Sequence, residues 1–183
     1  MREPSFARLN CSIARALAVL GDAWSFLILR DALAGVRTFE GFMRGLGIAR
    51  NTLTDRLRHL VEEGMLSQMD VGKRGTRFEY VPTLKAKEFQ APLMAIMQWG
   101  DRWVSGPGNE PVVAVDRESG AAVEPLVIRT TRGRAVSCDE LIYKPGRGAT
   151  TATRDYLFAK NKRATVRKIG FRAVTRRGTE RSR

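Results

Sequence analysis

A change of hydrophobic period at Gly64 constrains this chain more than any other feature. Upstream of it the apolar residues recur at helical spacing: residues 38–44 read as a short helix, Gly45-Leu46-Gly47 as a tight connection, and residues 49–63 as a longer helix closed by Gly64. Downstream, Met65, Leu66, Met69 and Val71 and then Thr76, Phe78, Tyr80 and Val81 roughly alternate around Gly72-Lys73-Arg74-Gly75. That is the pattern of a β-hairpin with a basic, glycine-flanked tip. Two short helices joined by a glycine turn make a helix-turn-helix, and a basic hairpin directly after it completes the winged form.

A 100° step along residues 49–63 puts Leu53, Leu57, Leu60 and Val61 on one side and Asn51, Thr52, Asp55, Arg58 and His59 on the other. The apolar side packs, and the polar side is free to enter a major groove and read base edges. Arg50 and Arg56 flank the two sides within reach of phosphates. Lys73 and Arg74 at the hairpin tip, Arg77 after it, and Arg37 and Thr38 at the start of the short helix are assigned to the DNA backbone. The rival reading is a solvated helix face beside a turn whose cations only keep it hydrated. The complete series of helix, turn, helix and basic hairpin favours the DNA reading. His59, the single histidine, reads as a surface or phosphate-facing residue, because no partner for catalysis or metal binding accompanies it.

Elsewhere, Ile13, Leu17, Leu20, Trp24, Leu27 and Ile28 follow helical spacing interrupted by Gly21-Asp22, which predicts two consecutive helices or one bent helix ended by Gly35. Pro82-Thr83 ends the hairpin and opens a helical stretch with a stripe of Phe89, Leu93, Ile96, Met97 and Trp103, kinked or split by Pro92. Trp24, Trp99 and Trp103 read as core or interface anchors. Residues 105–111, SGPGNEP, have linker composition. Val112 to Val115 and Pro125 to Ile128 look like short strands around a turn at Gly120, and residues from about 150 onward lack a convincing apolar face.

The expected fold is mainly α with a small β-hairpin wing. A winged helix-turn-helix domain over residues 1–104 precedes a linker at 105–111, a small β-containing region at 112–149, and a basic tail at 150–183 expected to be mobile.

The charge is unevenly spread. Of a formal net +13, residues 129–183 carry 16 basic side chains against 4 acidic, whereas residues 1–128 carry 16 against 15. An arm that follows polyanions and a solvated tail both fit, and a charge this large attracts nucleic acid at low salt. With 43% hydrophobic residues there is material for one buried core. Cys11 and Cys138 lie far apart with one histidine in the chain, so a zinc finger or thiol redox pair of usual spacing is absent, and no metal or cofactor is expected. No apolar run approaches the roughly 18 residues that cross a bilayer, and the N-terminus lacks a signal-like apolar region. The expectation is a soluble, cytoplasmic protein without a membrane partner. No nucleophile and base, phosphate-binding glycine loop or carboxylate dyad of recognisable spacing appears, so no enzyme is expected.

The run Cys11 to Trp24 (CSIARALAVLGDAW), the stretch from Arg37-Thr38-Phe39 through Gly64-Met65-Leu66, Phe78-Glu79-Tyr80 with Thr83, and Gln98-Trp99-Gly100 together resemble HxlR-type transcriptional regulators over about residues 10 to 104. The resemblance implies a winged-helix fold and a homodimer built largely from the first and last helices. It implies binding to palindromic double-stranded DNA as repressor or activator, with a small-molecule or oxidant effector. Several regulators of this family sense oxidants or electrophiles through a cysteine near the position of Cys11. The other reading of Cys11 is a small apolar residue opening a dimer-forming helix.

Ala49 stands where Ser or Thr often caps the recognition helix, Pro82 replaces an apolar residue, and Ala86 sits where Gly is common. These departures bear on local stability. Ser119-Gly120, Arg129 to Gly133 and Pro145 to Ala149 resemble a degenerate zinc ribbon in which guanidinium groups, unable to ligate Zn²⁺, stand at ligand positions. A winged-helix protein-interaction module whose basic tail docks an acidic partner is the competing function.

Overall fold

The computed structural model describes residues 6–72 and 77–161. Lys73 and Arg74 at the hairpin tip, and the basic tail beyond 161, lie outside the described residues. Contacts divide the described residues into two units, one of residues 6–7 and 13–126, the other of residues 8–12 and 127–161. The boundary therefore falls after Leu126, and the Gly/Pro-rich 105–111 stretch lies inside the first unit.

In the first unit the Gly21-Asp22 interruption yields two separate helices, α1 (Ser12–Leu20) and α2 (Ala23–Leu33), bent 75° apart. Asp22 caps α2 by accepting the Ser25 amide at 3.2 Å. Thr38 caps α3 (Phe39–Leu46) by accepting the Gly41 amide, and Gly47, at φ 61°, closes it in the left-handed region that glycine tolerates. Next come α4 (Arg50–Glu62) and an antiparallel hairpin of β1 (Leu66–Asp70) and β2 (Phe78–Pro82), with Leu66 opposite Pro82 and Asp70 opposite Phe78.

Thr83 secures the hairpin base. Its hydroxyl donates toward the carbonyls of Gly64 and Met65 and accepts the Ala86 amide that opens α5 (Leu84–Glu88). The helical stretch breaks at Phe89, ahead of Pro92. Pro92 sits in the first turn of α6 (Gln90–Gly100), where its missing N–H costs no intrahelical bond. A π-turn over Asp101–Ser105 prolongs α6.

The core joins these elements. Ile28 and Leu29 of α2, Phe42 of α3, Leu53, Leu57 and Leu60 of α4, and Leu66 of β1 are buried almost completely. Each such side chain contributes about 1.5–3 kcal/mol when removed from water. Ala86 is also fully buried.

The strands expected at 112–115 and 125–128 do not form a ladder. Val115 and Ala122 make one isolated bridge around a turn in which Asp116 Oδ1 accepts from the amide and hydroxyl of Ser119. These bonds hold the Asp116 carboxyl below its ordinary range, the hydroxyl contributing most. The segment is fixed instead by Gln98 of α6, whose amide donates to the Glu124 carbonyl and accepts the Leu126 amide at 2.8 Å. A side-chain clamp holds the part of the chain where a second short strand was expected.

The second unit also departs from expectation. Arg129 and Ala135 bridge across a turn at residues 130–133, closed by the Arg129 guanidinium on the Gly133 carbonyl. A single 3-10 turn, Cys138–Glu140, carries a capping box between Ser137 and Glu140. Residues 151–161, expected to lack regular structure, form a further helix, α7. Its capping Thr150 accepts the Thr153 amide, and Asn10 joins it from the far end of the sequence. The Asn10 amide nitrogen donates to the Gly148 carbonyl at 3.0 Å, and its oxygen accepts from the Thr150 amide and the Thr153 hydroxyl.

Candidate nucleic-acid interface

The face that could meet DNA is built by α4 and its neighbours. Leu53, Leu57 and Leu60 fix the buried side of α4 against α2 and α3, leaving Arg50, Asn51, Thr54, Asp55, Arg58 and Glu62 exposed. The steps from 51 to 54, 55 and 58 form one ridge along the helix. Thr54, absent from the sequence-derived set, belongs to this ridge, and its hydroxyl donates back to the Arg50 carbonyl at 2.9 Å. The i+3 and i+4 spacing from Asn51 was the signal that could have found it. Thr52 is only half-exposed and lies toward the flank.

Asp55 and Arg58 pair with each other across one turn of the exposed ridge. The Arg50 guanidinium lies over the Phe39 ring, 5.1 Å from its centroid, which holds its head near the start of α4. Arg44, exposed in the last turn of α3, adds a cation beside the Gly47 turn. Ala49 occupies the N-cap of α4 in extended backbone with no side-chain bond, so the cap anticipated to be missing is missing. The first amides of the helix have no side-chain acceptor from that residue.

Several predicted contacts have other work. Arg56 does not flank the groove freely: its Nε lies 2.6 Å from Asp22 Oδ2, at the start of α2, with both side chains about two-thirds covered. The approach is close without being aligned as a hydrogen bond, so the contact is an ion pair. His59 likewise turns inward, its Nε2 2.9 Å from the Val19 carbonyl at the end of α1. A carbonyl only accepts, so Nε2 carries the proton, and the surface reading of His59 is replaced by a tie between helices. The physical reason in both cases is the α1–α2 elbow, which packs on a side of α4 that local periodicity leaves blank.

Thr38 spends its hydroxyl on the α3 cap. It also bridges to Glu79, and the Arg37 carbonyl accepts the Tyr80 amide at 2.8 Å, so residues 37 and 38 run along β2. Arg37 is half-buried with Nη1 enclosed and without a hydrogen-bond partner. Burial pushes the Tyr80 hydroxyl above its ordinary pKa, with Glu40 adding to the rise.

In the wing, Asp70 Oδ1 accepts the amides of Gly72 and Arg77, and the Val71 amide donates to the Arg77 carbonyl, so the ladder continues to the base of the tip. Arg77 itself is exposed. Cys11 is an exposed free thiol between the first 3-10 turn and α1. Among the described residues, no group of three or more His, Cys, Asp and Glu is placed to hold a metal ion. No single helix among them is long and apolar enough to cross a membrane.

Comparison with known proteins agrees with this architecture. The family model for the HxlR-like helix-turn-helix matches residues 19–107. An uncharacterized HTH-type transcriptional regulator of Mycobacterium tuberculosis is 36% identical over 137 residues, covering 75% of this chain and 87% of the relative. Among solved structures, that of PA1607, a candidate transcription factor, superimposes with a TM-score of 0.71 at 36% identity, covering 79% of this chain and 99% of the other. PA1374 from Pseudomonas aeruginosa, also a candidate transcription factor, gives 0.58 at 40% identity, covering 80% and 99%. These relatives are regulators, not enzymes. The winged helix-turn-helix and the similarity over most of both chains place this protein in the HxlR-like helix-turn-helix family of transcriptional regulators.

Proposed function

We propose that the protein is a cytoplasmic, homodimeric regulator that binds a palindromic operator as repressor or activator, reading bases with the exposed ridge of α4. The observation that carries this reading is the ridge itself. Asn51, Thr54, Asp55 and Arg58 project from a helix whose opposite side is locked into the core. Asn pairs naturally with adenine and Arg with guanine in the major groove. Arg44, Arg50, Arg77 and the tip residues Lys73 and Arg74 then follow phosphates, as do the uncapped amides of α4.

The dimer reading is supported by large apolar side chains left in water. Ile13 and Leu17 on α1, Ile96 and Trp99 on α6, and Trp103 and Val104 beyond it are all exposed. Large apolar side chains exposed in this number are expected at an association site. Two-fold pairing would set the α4 helices about 34–36 Å apart, one duplex turn, or a multiple of it.

The test starts with an operator selected from a randomised duplex library by the full-length protein. Asn51→Ala and Thr54→Ala should each lower affinity for it, Asn51→Ala by about 1–3 kcal/mol, and change random-sequence binding far less. Equal losses on both duplexes would remove base readout from α4. Sedimentation showing only monomers at micromolar concentration, with and without operator, would overturn the dimer.

A further inference from the structure

The elbow between α1 and α2 is built against α4 at three points. Asp22 uses one carboxylate oxygen to cap α2 and the other to hold Arg56 of α4 at 2.6 Å. The Val19 carbonyl, at the end of α1, accepts from His59 one helical turn further along α4. Between them Gly21 sits at φ 81°, and a Cβ there would stand 3.2 Å from His59 Nε2. A side chain here would be strained by the positive φ and would press on the His59 ring, so glycine suits the position. Ser25, fully buried, backs the junction with its hydroxyl 3.5 Å from Asp22.

We infer that Asp22, Arg56 and His59 are positioning residues for DNA reading: they fix the orientation of α4 on the α1–α2 elbow and touch no nucleic acid themselves. The inference rests on the reading of α4 as the base-reading helix. Its chemistry is specific, because an arginine in this part of a recognition helix would ordinarily be counted among the phosphate contacts. Here the guanidinium is drawn back toward a carboxylate of the preceding helix pair. An error of orientation at this root is carried to Asn51 and Thr54, whose hydrogen bonds to base edges tolerate little displacement.

Asp22→Asn distinguishes the two roles of Arg56, since asparagine caps a helix as well as aspartate but carries no charge to hold the guanidinium. If Arg56 contacted phosphate in competition with Asp22, releasing it would leave affinity unchanged or raise it. Arg56→Gln would then lower the magnitude of the salt slope by about 0.9. On the positioning account, D22N and R56Q each lower operator affinity about tenfold, leave affinity for a random duplex and the salt slope unchanged, and cost no more together than singly. His59→Leu gives the same loss of operator-to-random ratio.

That ratio is the decisive readout, because a merely less stable protein loses active fraction equally for both duplexes. Tighter or unchanged operator binding by D22N, or a lower salt slope for R56Q, overturns the inference. If Asn51→Ala retains full operator preference, the reading of α4 fails and the inference fails with it. If Asn51→Ala loses preference while D22N does not, only the inference fails.

Discussion

Supplying the missing cap of α4 should raise stability and lower DNA affinity by separable amounts. Ala49 already has φ −64° and ψ 140°, the extended backbone from which a side chain can accept a first-turn amide. Ala49→Ser adds the acceptor and should stabilise the fold by about 1 kcal/mol, within a usual span of about 0.5–2. Ala49→Asp adds to this about 0.3–1 kcal/mol from its charge at the positive helix end. For a unit the size of residues 13–126, each kcal/mol is worth roughly 4 °C in Tm, where the ranges for smaller and larger domains meet.

Binding should move the other way. A serine at this position competes mildly for the amides that would meet a phosphate, whereas an aspartate also repels it. Ala49→Asp should therefore weaken binding to all duplexes about tenfold, near 1.4 kcal/mol, and flatten the salt slope. Circular dichroism melting and fluorescence anisotropy titration give the two quantities on the same samples. An Ala49→Ser variant with unchanged or lower Tm would show that the helix start is already satisfied. An Ala49→Asp variant that binds as tightly as the parent would remove phosphate from this helix end.

Three further outcomes are expected. Leu57→Ala, at a side chain 1% exposed in the core, should cost about 2–5 kcal/mol in denaturant unfolding, and a loss under 1 kcal/mol would mean the site collapses around the void. The Glu140 carboxyl is held below its ordinary range by the Ser137 amide and then by Arg134, so its contribution is present above the unfolded-state pKa and is lost as pH falls through the folded one. Glu140→Gln should flatten the acid limb of melting for the second unit, and an identical limb would show that the capping box is thermodynamically silent. Deleting residues 162–183 should reduce the salt slope on every duplex without changing the order of operator preference, and an unchanged slope would leave the tail no part in phosphate contact.

Local periodicity was sufficient wherever a helix or strand is decided by its own residues. Leu53, Leu57 and Leu60 gave the buried side of α4, and the glycines at 47 and 64 gave the ends of α3 and α4 because those positions need positive φ. It failed where the deciding partner is distant. On a helical wheel Arg56 flanks the two sides and His59 looks outward, and the wheel contains neither Asp22 nor the Val19 carbonyl, which lies forty positions away from His59. Valines at 112, 113 and 115 suggest a short strand, but only an isolated bridge forms between Val115 and Ala122, and Gln98 holds Glu124 and Leu126 by its side chain. The helix at 151–161 has a weak apolar stripe and is anchored at its start by Thr150 and Asn10, a contact spanning about 140 positions that no window of sequence reveals.

That Asn10 contact also sets an order in time. Thr153, its partner, is added 143 residues after Asn10. At about 5–20 residues per second this is an interval of roughly 7–30 s. Throughout it, residues 13–126 can complete their own core while the second unit still lacks α7. Folding during synthesis thus has an imposed sequence: residues 13–126 can mature first, and the segment around Asn10 makes its contacts with Thr150 and Thr153 only after those residues have emerged.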